Sequence, residues 1–349
     1  MTYTSSNNTT GHCVESFENL ICSKPKLSDK DRIAAMAVLS FLISATIFGN
    51  CLIITTIAFF RQLQTNTNTL ALSLAVSDLL VGAIVMPFSA SRSIHQCWFH
   101  GRTFCRVHYY LDYTFCNASI LCLGCIAFDR HVAICDPLRY AQRVTRGTLA
   151  SMLALIWVGA ALLSAPTLVS LDEAWARGLM EIAGCPDGCH FAVHVGLTLV
   201  VGILPYFIIM LLMLLVYGRI YGVARRQSRQ INNSSGSRAS DADSRSKWVA
   251  MRREHSATLT LGMIVGFYLV SWLPYFTASV LEMAFGVTAS ALVWATVIWF
   301  GYANSVVNPI LYATFNRPFR TAFRIIFSSE LFAPGARDAD LHGLKVTGG

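Results

Sequence analysis

Seven apolar stretches, each long enough to cross a lipid bilayer, dominate this chain of 349 residues. A transmembrane helix needs about 20 mostly apolar residues, and we predict helices at about 33–60, 69–91, 106–130, 149–171, 191–221, 256–282 and 290–313. The chain is only 13% charged, whereas soluble domains average about 25%. In lipid, a spanning segment must satisfy its own backbone polar groups, which favours helices. The sequence therefore predicts an all-α membrane protein.

The spans divide the rest of the chain between the two sides of the membrane, and the Lys and Arg residues are unevenly distributed between these sides. If the N-terminus is outside, 19 of the 27 lie in cytoplasmic segments: Arg61, Arg130, Arg139, Arg143, Arg146, nine at 219–253 and five after Asn316. Because cytoplasmic loops carry an excess of Lys and Arg, we expect a multi-pass plasma-membrane protein with an extracellular N-terminus. The net charge of +8 then suits contact with anionic inner-leaflet lipid and argues against a nucleic-acid partner.

The polar segment 1–32, which precedes the spans, is expected to be an extracellular glycosylated tail. Asn7 and Asn8 begin overlapping N-glycosylation triplets, although such triplets also arise by chance. Six of the 11 cysteines lie in segments expected outside, where an oxidising compartment favours disulfides: Cys13, Cys22, Cys97, Cys105, Cys185 and Cys189. Their pairing does not follow from the sequence itself.

The spans and the segments between them form one domain at 33–328. Within it, positions 222–250 are rich in Ser, Arg, Asn and Gly, and we expect a disordered cytoplasmic loop because this composition buries little apolar surface. A stretch at about 316–328 predicts a short helix lying in the membrane interface, whose apolar face is made of Phe319, Phe323, Ile326 and Phe327. The last segment, 329–349, is expected to be a cytoplasmic tail that resembles the loop in composition.

One carboxylate, Asp112, lies within the third apolar stretch. A charge at bilayer depth costs about 2.5–3.5 kcal/mol even on insertion scales, so such a residue indicates a functional site. Arg130 follows at a distance of about 27 Å along a helix, which is close to the hydrocarbon thickness of a bilayer. The same helix therefore carries an acid near one face and the Asp129-Arg130 pair at the other. This arrangement suits a protein that detects a cation outside and reports it inside.

A second acid, Asp78, lies deep in the second stretch. Polar side chains of four spans can meet there, namely Asn50, Ser119, Asn304, Ser305 and Asn308. Oxygen ligands suit a hard cation, so Asp78, Ser119, Asn304 and Ser305 form a candidate sodium site. The alternative is a structural hydrogen-bond network without an ion.

Six short motifs follow one another in order along the spans. They are Gly49-Asn50, Leu74-Ala75-Val76-Ser77-Asp78, Asp129-Arg130-His131, Trp157, Ser271-Trp272-Leu273-Pro274 and Asn308-Pro309-Ile310-Leu311-Tyr312. Together they resemble the rhodopsin-like G-protein-coupled receptors over about residues 33–328, which implies a seven-transmembrane-helix bundle with a short interfacial eighth helix. Asp112 with Trp299 and Tyr302 resembles the amine-binding subset. Phe300-Gly301-Tyr302, followed by the run from Asn304 to Pro309, is most similar to the trace amine-associated receptors.

The resemblance also implies a disulfide pattern. In that family one cysteine of the second outer loop bonds the top of the third helix and the other bonds the tail, which implies the pairs Cys105–Cys189 and Cys22–Cys185. Cys13 and Cys97 are then left for a third bridge. Because Cys105 and Asp112 are two turns apart on one helix face, a loop pinned at Cys105 would lie about 10 Å above the acid.

At Asp112 the resemblance implies a protonated amine, held by a charge-assisted hydrogen bond that low dielectric strengthens. Aromatic rings suit the cation and its organic body. The expected ligand-binding set is Asp112, Tyr113, Cys116, Thr198, Val201, Trp272, Tyr275, Phe276, Ile298, Trp299 and Tyr302. The alternative is a structural acid that Tyr302 satisfies, with no role in ligand binding.

The fifth span narrows the class of amine. The run from Thr198 to Pro205 contains no serine for catechol or indole hydroxyls, which argues against a catecholamine. A second acid would suit a diamine or polyamine, and Glu282 and Asp187 are candidates, the alternative being that each is a solubilising surface charge. Pro205 lies one turn before the usual proline position, which leaves the register of this span open.

At the opposite end, the resemblance implies a coupling switch made of Asp129, Arg130, Glu254, Tyr217, Asn308, Pro309 and Tyr312. An Arg130–Glu254 ion pair would hold two helices together in the inactive state, and its loss would expose Arg130 to a G protein. The alternative for Glu254 is a solvated charge. Expected partners are a heterotrimeric G protein of the stimulatory or olfactory type, which would raise cyclic AMP, together with arrestin and membrane lipid. No cofactor is expected.

The expected function is therefore a receptor for biogenic or trace amines, with an olfactory role as one option. A serotonin- or histamine-like neuromodulator receptor is the nearest alternative, and the hydroxyl-poor fifth span weighs against it. A small-cation transporter is a different class, but the sequence shows no internal repeat. An enzyme is least expected, because the acids within the spans are not paired with a set of His or Cys ligands and no Ser-His-Asp arrangement is apparent.

Overall fold

The computed structural model describes residues 28–95, 98, 100–168, 202–234, 242–287 and 289–341, without the side chains of 102, 224, 225, 227–234, 242–259 and 291. Six of the predicted spans are helices long and apolar enough to cross a membrane. The long helices are α1 (Asp29–Phe59), α2 (Asn66–Leu80) continuing into α3 (Met86–His95), α4 (Gly101–Cys135), α6 (Arg146–Ser164), α7 (Leu204–Ser234) and α8 (Ala242–Phe285). A four-residue helix, α5 (Tyr140–Arg143), links α4 to α6.

The seventh span consists of two helices, α9 (Ala291–Tyr302) and α10 (Asn304–Phe315), separated at Ala303. Pro309 inside α10 has no N–H to donate to the carbonyl of Ser305, four residues earlier. The side chain of Asn50 on α1 donates to that carbonyl at 3.0 Å and to the carbonyl of Thr46 at 2.9 Å. Asn50 therefore supplies the hydrogen bond that the proline removes, and it ties the first span to the seventh.

The second span contains a π-helical segment, Val81–Val85, between α2 and α3. Pro87, two residues after Val85, cannot donate a backbone hydrogen bond, which explains why the ladder is disrupted at this point. A π turn adds one residue, and each residue of an α-helix turns it by about 100°. The segment therefore rotates the face that α3 presents to its neighbours.

Helix α4 lies at the centre of the bundle and packs against α2, α6 and α7. At the seam between α1 and α10, a Cβ placed on Gly49 would lie 2.8 Å from the side chain of Pro309, so only glycine allows this approach. Leucine and isoleucine side chains along α7 remain about half exposed, which fits contact with lipid, since soluble monomeric proteins rarely expose a large apolar face.

The interfacial helix is α11 (Arg317–Ile326), close to its predicted bounds. Phe319 and Phe323 are buried as expected, but Ile325 is also buried whereas Phe327 is 66% exposed. The apolar face is thus displaced from the predicted one, because the helix ends at Ile326 and Phe327 no longer follows its periodicity.

Parts of the polar segments are helical among the described residues. Helix α7 continues to Ser234 and α8 starts at Ala242, so both helices extend into the segment 222–250, whose disorder stays a prediction. Once a span has nucleated a helix, each further residue adds a hydrogen bond at low entropic cost, and Arg, Gln and Ala propagate it well. In the tail, Leu341 is buried and its N–H donates to the side chain of Gln62 at 3.0 Å.

Candidate ligand-binding site

A cavity opens between α3, α4, α8 and α9, beside the start of α7. The cavity has a volume of about 70 Å³, several times the space of about 10–15 Å³ that one water needs on the same measure, so it suits a small organic molecule. Its described lining residues are Arg92, Tyr109, Asp112, Tyr113, Cys116, Asn117, Ile120, Gly202, Tyr206, Tyr268, Trp272, Tyr275, Phe276, Ile298 and Tyr302. Asp112 is the only acid among them.

Asp112 lies in the middle of α4, where its carboxylate is held from two sides. The hydroxyl of Tyr302 on α9 donates to Oδ2 at 2.7 Å, a contact that is compatible with a ligand-binding acid and with a structural acid alike. The thiol of Cys116, one turn further along α4, lies 3.5 Å from Oδ1. A buried carboxylate has about four lone-pair positions, so these two donors leave room for a cation in the cavity.

Aromatic rings form the wall that faces Asp112. Trp272 contacts Tyr275 edge to face at 5.7 Å and Tyr302 at 6.1 Å between ring centroids. Phe276 stacks on Tyr206 of α7 at 4.0 Å. The hydroxyl of Tyr206 donates to the carbonyl of Leu269 at 2.8 Å, one turn before Pro274 breaks the ladder of α8. The rings are thus fixed by contacts to one another and to the distorted part of α8.

Most of the predicted ligand-binding set lines this cavity: Asp112, Tyr113, Cys116, Trp272, Tyr275, Phe276, Ile298 and Tyr302. Trp299 is not among the described lining residues, so its role in ligand binding stays a prediction. Its indole N–H donates to Ser93 at 3.0 Å, and its ring packs edge to face on Tyr302. Thr198 and Val201 lie outside the described residues.

Of the two acids expected for a second amine, Glu282 is described and does not line the cavity. Asp187 lies outside the described residues, as do Cys22, Cys185, Cys189, Asn7 and Asn8. Cys105 is disulfide-bonded, and its partner lies outside the described residues as well. Its pairing with Cys189 therefore stays a prediction.

Seven lining residues were missed by the sequence-based reasoning: Arg92, Tyr109, Asn117, Ile120, Gly202, Tyr206 and Tyr268. Arg92 is the important omission, since its guanidinium donates to the Tyr109 hydroxyl at 2.9 Å inside the same cavity as Asp112. The sequence places Arg92 near the end of an apolar stretch, but its position at the cavity depends on the rotation of α3 after the π segment Val81–Val85.

Below the cavity, Asp78 is fully buried in a polar cluster. Its carboxylate accepts hydrogen bonds from Asn308 at 2.6 Å, Ser305 at 2.8 Å and Ser119 at 3.3 Å. The Oδ1 atoms of Asn304 and Asn308 are buried without a partner among the described residues. Amide oxygens only accept hydrogen bonds or bind cations, so this donor set fits a sodium ion or water.

At the far end of α4, Asp129 and Arg130 form a buried ion pair of 2.7 Å. Thr67 of α2 donates to Asp129 at 2.6 Å and also contacts Arg130. The Tyr140 hydroxyl donates to the other oxygen of Asp129 at 2.8 Å, and burial, assisted by the charge of Asp129, raises the pKa of Tyr140 to about 12. Arg130 is therefore held inside the bundle by its ion pair with the adjacent Asp129.

The other switch residues are only partly described. The Tyr217 and Tyr312 hydroxyls are buried without a hydrogen-bond partner in the described part of the chain. Tyr312 packs on Phe319 of α11 with 4.8 Å between ring centroids. The side chain of Glu254 lies outside the described residues, so the Arg130–Glu254 pair stays a prediction.

Comparison with known proteins gives a consistent result. The family model described as 7 transmembrane receptor (rhodopsin family) matches residues 49–312. Trace amine-associated receptor 365 of Petromyzon marinus is 46% identical over 97% of this chain and 92% of that protein. Trace amine-associated receptor 9 of Rattus norvegicus is 36% identical over 94% of this chain and 97% of that protein, and trace amine-associated receptor 6 of Homo sapiens is 35% identical over 89% and 90%.

These matches extend over nearly the whole chain, and they support the predicted receptor, not a serotonin- or histamine-like receptor, a transporter or an enzyme. They also agree with the helical bundle, in which no strand occurs among the described residues. The chain belongs to the rhodopsin family of seven-transmembrane receptors and, within it, to the trace amine-associated receptors.

Proposed function

We propose that this receptor binds a small protonated amine at Asp112. The observation that carries the proposal is the position of this carboxylate, the only acid among the described residues that line an aromatic cavity. The names of its relatives point to trace amines as the ligand class. None of the relatives reported above is named as a serotonin or histamine receptor, and no serine lines the described part of the cavity to bind a ring hydroxyl such as that of serotonin.

Electrostatics favour a cation over a neutral ligand. Moving a charged side chain from water into the protein interior costs free energy, and a partner of opposite charge or several hydrogen bonds must offset that cost. Tyr302 and Cys116 provide two contacts to Asp112, and an ammonium in the cavity would add a positive charge in direct contact with the carboxylate. The faces of Trp272, Tyr275 and Phe276 attract the same cation through their ring quadrupoles.

The signal is proposed to travel along α4 to Arg130. With the N-terminus outside the plasma membrane, the cavity faces the exterior and the Asp129–Arg130 pair faces the cytoplasm. Ligand binding would favour a state in which the inner ends of α4 and α8 separate, and a heterotrimeric G protein of the stimulatory type would contact Arg130. Arrestin and anionic lipid are further proposed partners, and an olfactory role is proposed from the relatives' family.

We also propose a sodium site and a division of the chain into three parts. Asp78 with Ser119, Asn304 and Ser305 is proposed to hold sodium, because two buried amide oxygens of the cluster have no partner among the described residues. The chain is proposed to divide into a glycosylated tail at 1–32, a receptor domain at 33–328 and a cytoplasmic tail at 329–349.

The test is cyclic AMP in cells that express the full chain, challenged with monoamines. Removing one partner of a buried ion pair costs about 3–5 kcal/mol, so Asp112→Asn should lower amine potency at least about 100-fold at equal surface expression. Glu282→Gln is the matched control, since it removes the same charge from a residue that does not line the cavity. Equal potency of wild type and Asp112→Asn would contradict the proposal.

A further inference from the structure

A buried histidine lies one helical turn before Asp112 on α4. His108 is 3% exposed and is not among the described residues that line the cavity. Its ring is held by Trp98 and Phe88, whose ring centroids lie 5.2 and 6.2 Å away. A polar ring at this depth needs hydrogen bonds to offset its removal from water. The hydrogen bonds that it makes lead back to Asp112.

One nitrogen of the imidazole makes the described hydrogen bonds of His108. Its Nε2 atom lies 3.2 Å from the carbonyl oxygen of Val85 and 3.4 Å from Oγ of Ser89. A carbonyl oxygen can only accept, so Nε2 carries the proton and donates it. The Nδ1 atom has no partner among the described residues. Because Ser89 follows Val85 by about one helical turn, His108 holds the end of the π segment and the first turn of α3 together.

Ser89 connects His108 to Tyr302. Its Oγ atom is buried and lies 3.4 Å from the hydroxyl of Tyr302. That hydroxyl has a single proton, which it donates to Oδ2 of Asp112 at 2.7 Å, so its oxygen accepts from Ser89. Because Ser89 accepts from Nε2 of His108, its own proton is available for this bond. The donors therefore all point in one direction, from His108 towards Asp112.

The value of this chain lies in its direction. Both contacts of Ser89 are longer than ordinary hydrogen bonds, so each is weak by itself. Hydrogen bonds that run in one direction polarise one another and favour a single arrangement of their groups. Without Ser89 and His108, the hydroxyl of Tyr302 would turn more freely about its C–O bond, and the carboxylate of Asp112 would be less firmly oriented.

We propose that His108 and Ser89 are positioning residues for amine binding, which orient the Tyr302 hydroxyl and, through it, the carboxylate of Asp112. The inference rests on the proposed function, because it concerns how the same carboxylate binds an ammonium. It also predicts which amines depend on the chain most. A tertiary ammonium has one N–H and needs a correctly oriented acceptor, whereas a primary ammonium has three and adapts more easily.

The ligand experiment uses 2-phenylethylamine and its N,N-dimethyl homologue, which share a ring and differ in the number of N–H donors. Cyclic AMP is measured in cells that express the full chain, at equal surface expression. One hydrogen bond changes an equilibrium constant about 2- to 12-fold, so His108→Leu should lower the potency of the tertiary amine by this factor and that of the primary amine less. His108→Gln keeps an N–H donor at a similar reach and should restore most of the potency. A loss of equal size for both amines would show a merely structural role and overturn the proposal.

Further variants assign the effect to the chain. Ser89→Ala removes only the connecting hydroxyl and should reproduce the selective loss. In Tyr302→Phe, which lacks the hydroxyl that the chain orients, His108→Leu should cause no further loss, since residues that act through a shared partner are not additive. Ser93→Ala is the matched control: this serine lies one turn further along α3, accepts from Trp299 and should leave the effect of His108→Leu unchanged. Additive effects of His108→Leu and Tyr302→Phe would contradict the proposal.

A measurement without ligand tests the chain even if neither amine activates the receptor. The unfolding midpoints of purified wild type, His108→Leu, Tyr302→Phe and the double variant should not be additive, and they should become additive when Ser89→Ala is introduced into all four. Additive midpoints with Ser89 present would overturn the positioning role while the amine receptor stands. If Asp112→Asn keeps every amine response, the proposed function itself fails, and the unfolding cycle still decides whether the chain exists.

Discussion

Gly301 sets the position of the tryptophan at the base of the cavity, and replacing it with alanine should destabilise the receptor. A Cβ at Gly301 would lie 2.8, 2.9 and 3.0 Å from three ring carbons of Trp272, whereas ordinary contacts begin at 3.4 Å. The indole is rigid and is packed against Tyr275 and Tyr302, so it cannot move alone. Overpacking of this kind costs about 1–3 kcal/mol.

At about 2–4 °C per kcal/mol, Gly301→Ala should lower the unfolding midpoint by about 2–12 °C. The assay is thermal unfolding of the purified receptor in detergent, followed by tryptophan fluorescence. Amine potency should also fall, because Trp272 lines the cavity.

Gly266→Ala is the matched control, since it lies in the same membrane-spanning region and a Cβ there would meet nothing within 4 Å. Alanine is favoured over glycine in a helix by about 0.5–1 kcal/mol, so this variant should be neutral or slightly more stable. The steric reasoning is refuted if Gly301→Ala unfolds at the wild-type temperature, or if both variants lose the same amount.

Two further predictions concern the polar interior. Asn50→Ala leaves the Ser305 carbonyl without its 3.0 Å donor and should lower the free energy of unfolding by about 1–3 kcal/mol. In a Pro309→Ala background, the restored backbone N–H should reduce that loss. If a double-mutant cycle of unfolding midpoints shows additive effects, this role of Asn50 is contradicted. At equal ionic strength, sodium should stabilise the wild-type receptor relative to choline, by about 1.4 kcal/mol when its concentration is ten times its dissociation constant. Asp78→Asn should abolish this difference. A sodium effect that survives in Asp78→Asn would exclude the site.

The spans and the central acids could be predicted because both depend on burial in lipid. A run of about 20 apolar residues has few alternatives to a transmembrane helix, and a carboxylate within such a run is too costly to be incidental. Asp112 and Asp78 were identified for this reason, whereas the Asp112–Tyr302 hydrogen bond suits both a ligand-binding and a structural acid.

The contacts of Trp299 and the position of Arg92 at the cavity could not be predicted, because they depend on the direction in which a side chain points. The π segment Val81–Val85 adds a residue to the second span and so turns α3 by about 100° relative to a regular helix. Periodicity of 3.6 residues cannot show that Arg92 then faces the cavity. In the same way, the sequence cannot show that the indole N–H of Trp299 donates to Ser93.

The sequence by itself thus determined a seven-span receptor with an acid near one end of the third span and the Asp129–Arg130 pair at the other, since hydrophobic length and the cost of a buried charge are properties of the chain. Only the tertiary structure decided which side chains share the cavity with Asp112. Helix rotation, the interruption at Ala303 and the packing of Gly301 on Trp272 arise from contacts between spans. The charge that Arg92 brings to the ligand site was therefore visible only after the helices were assembled.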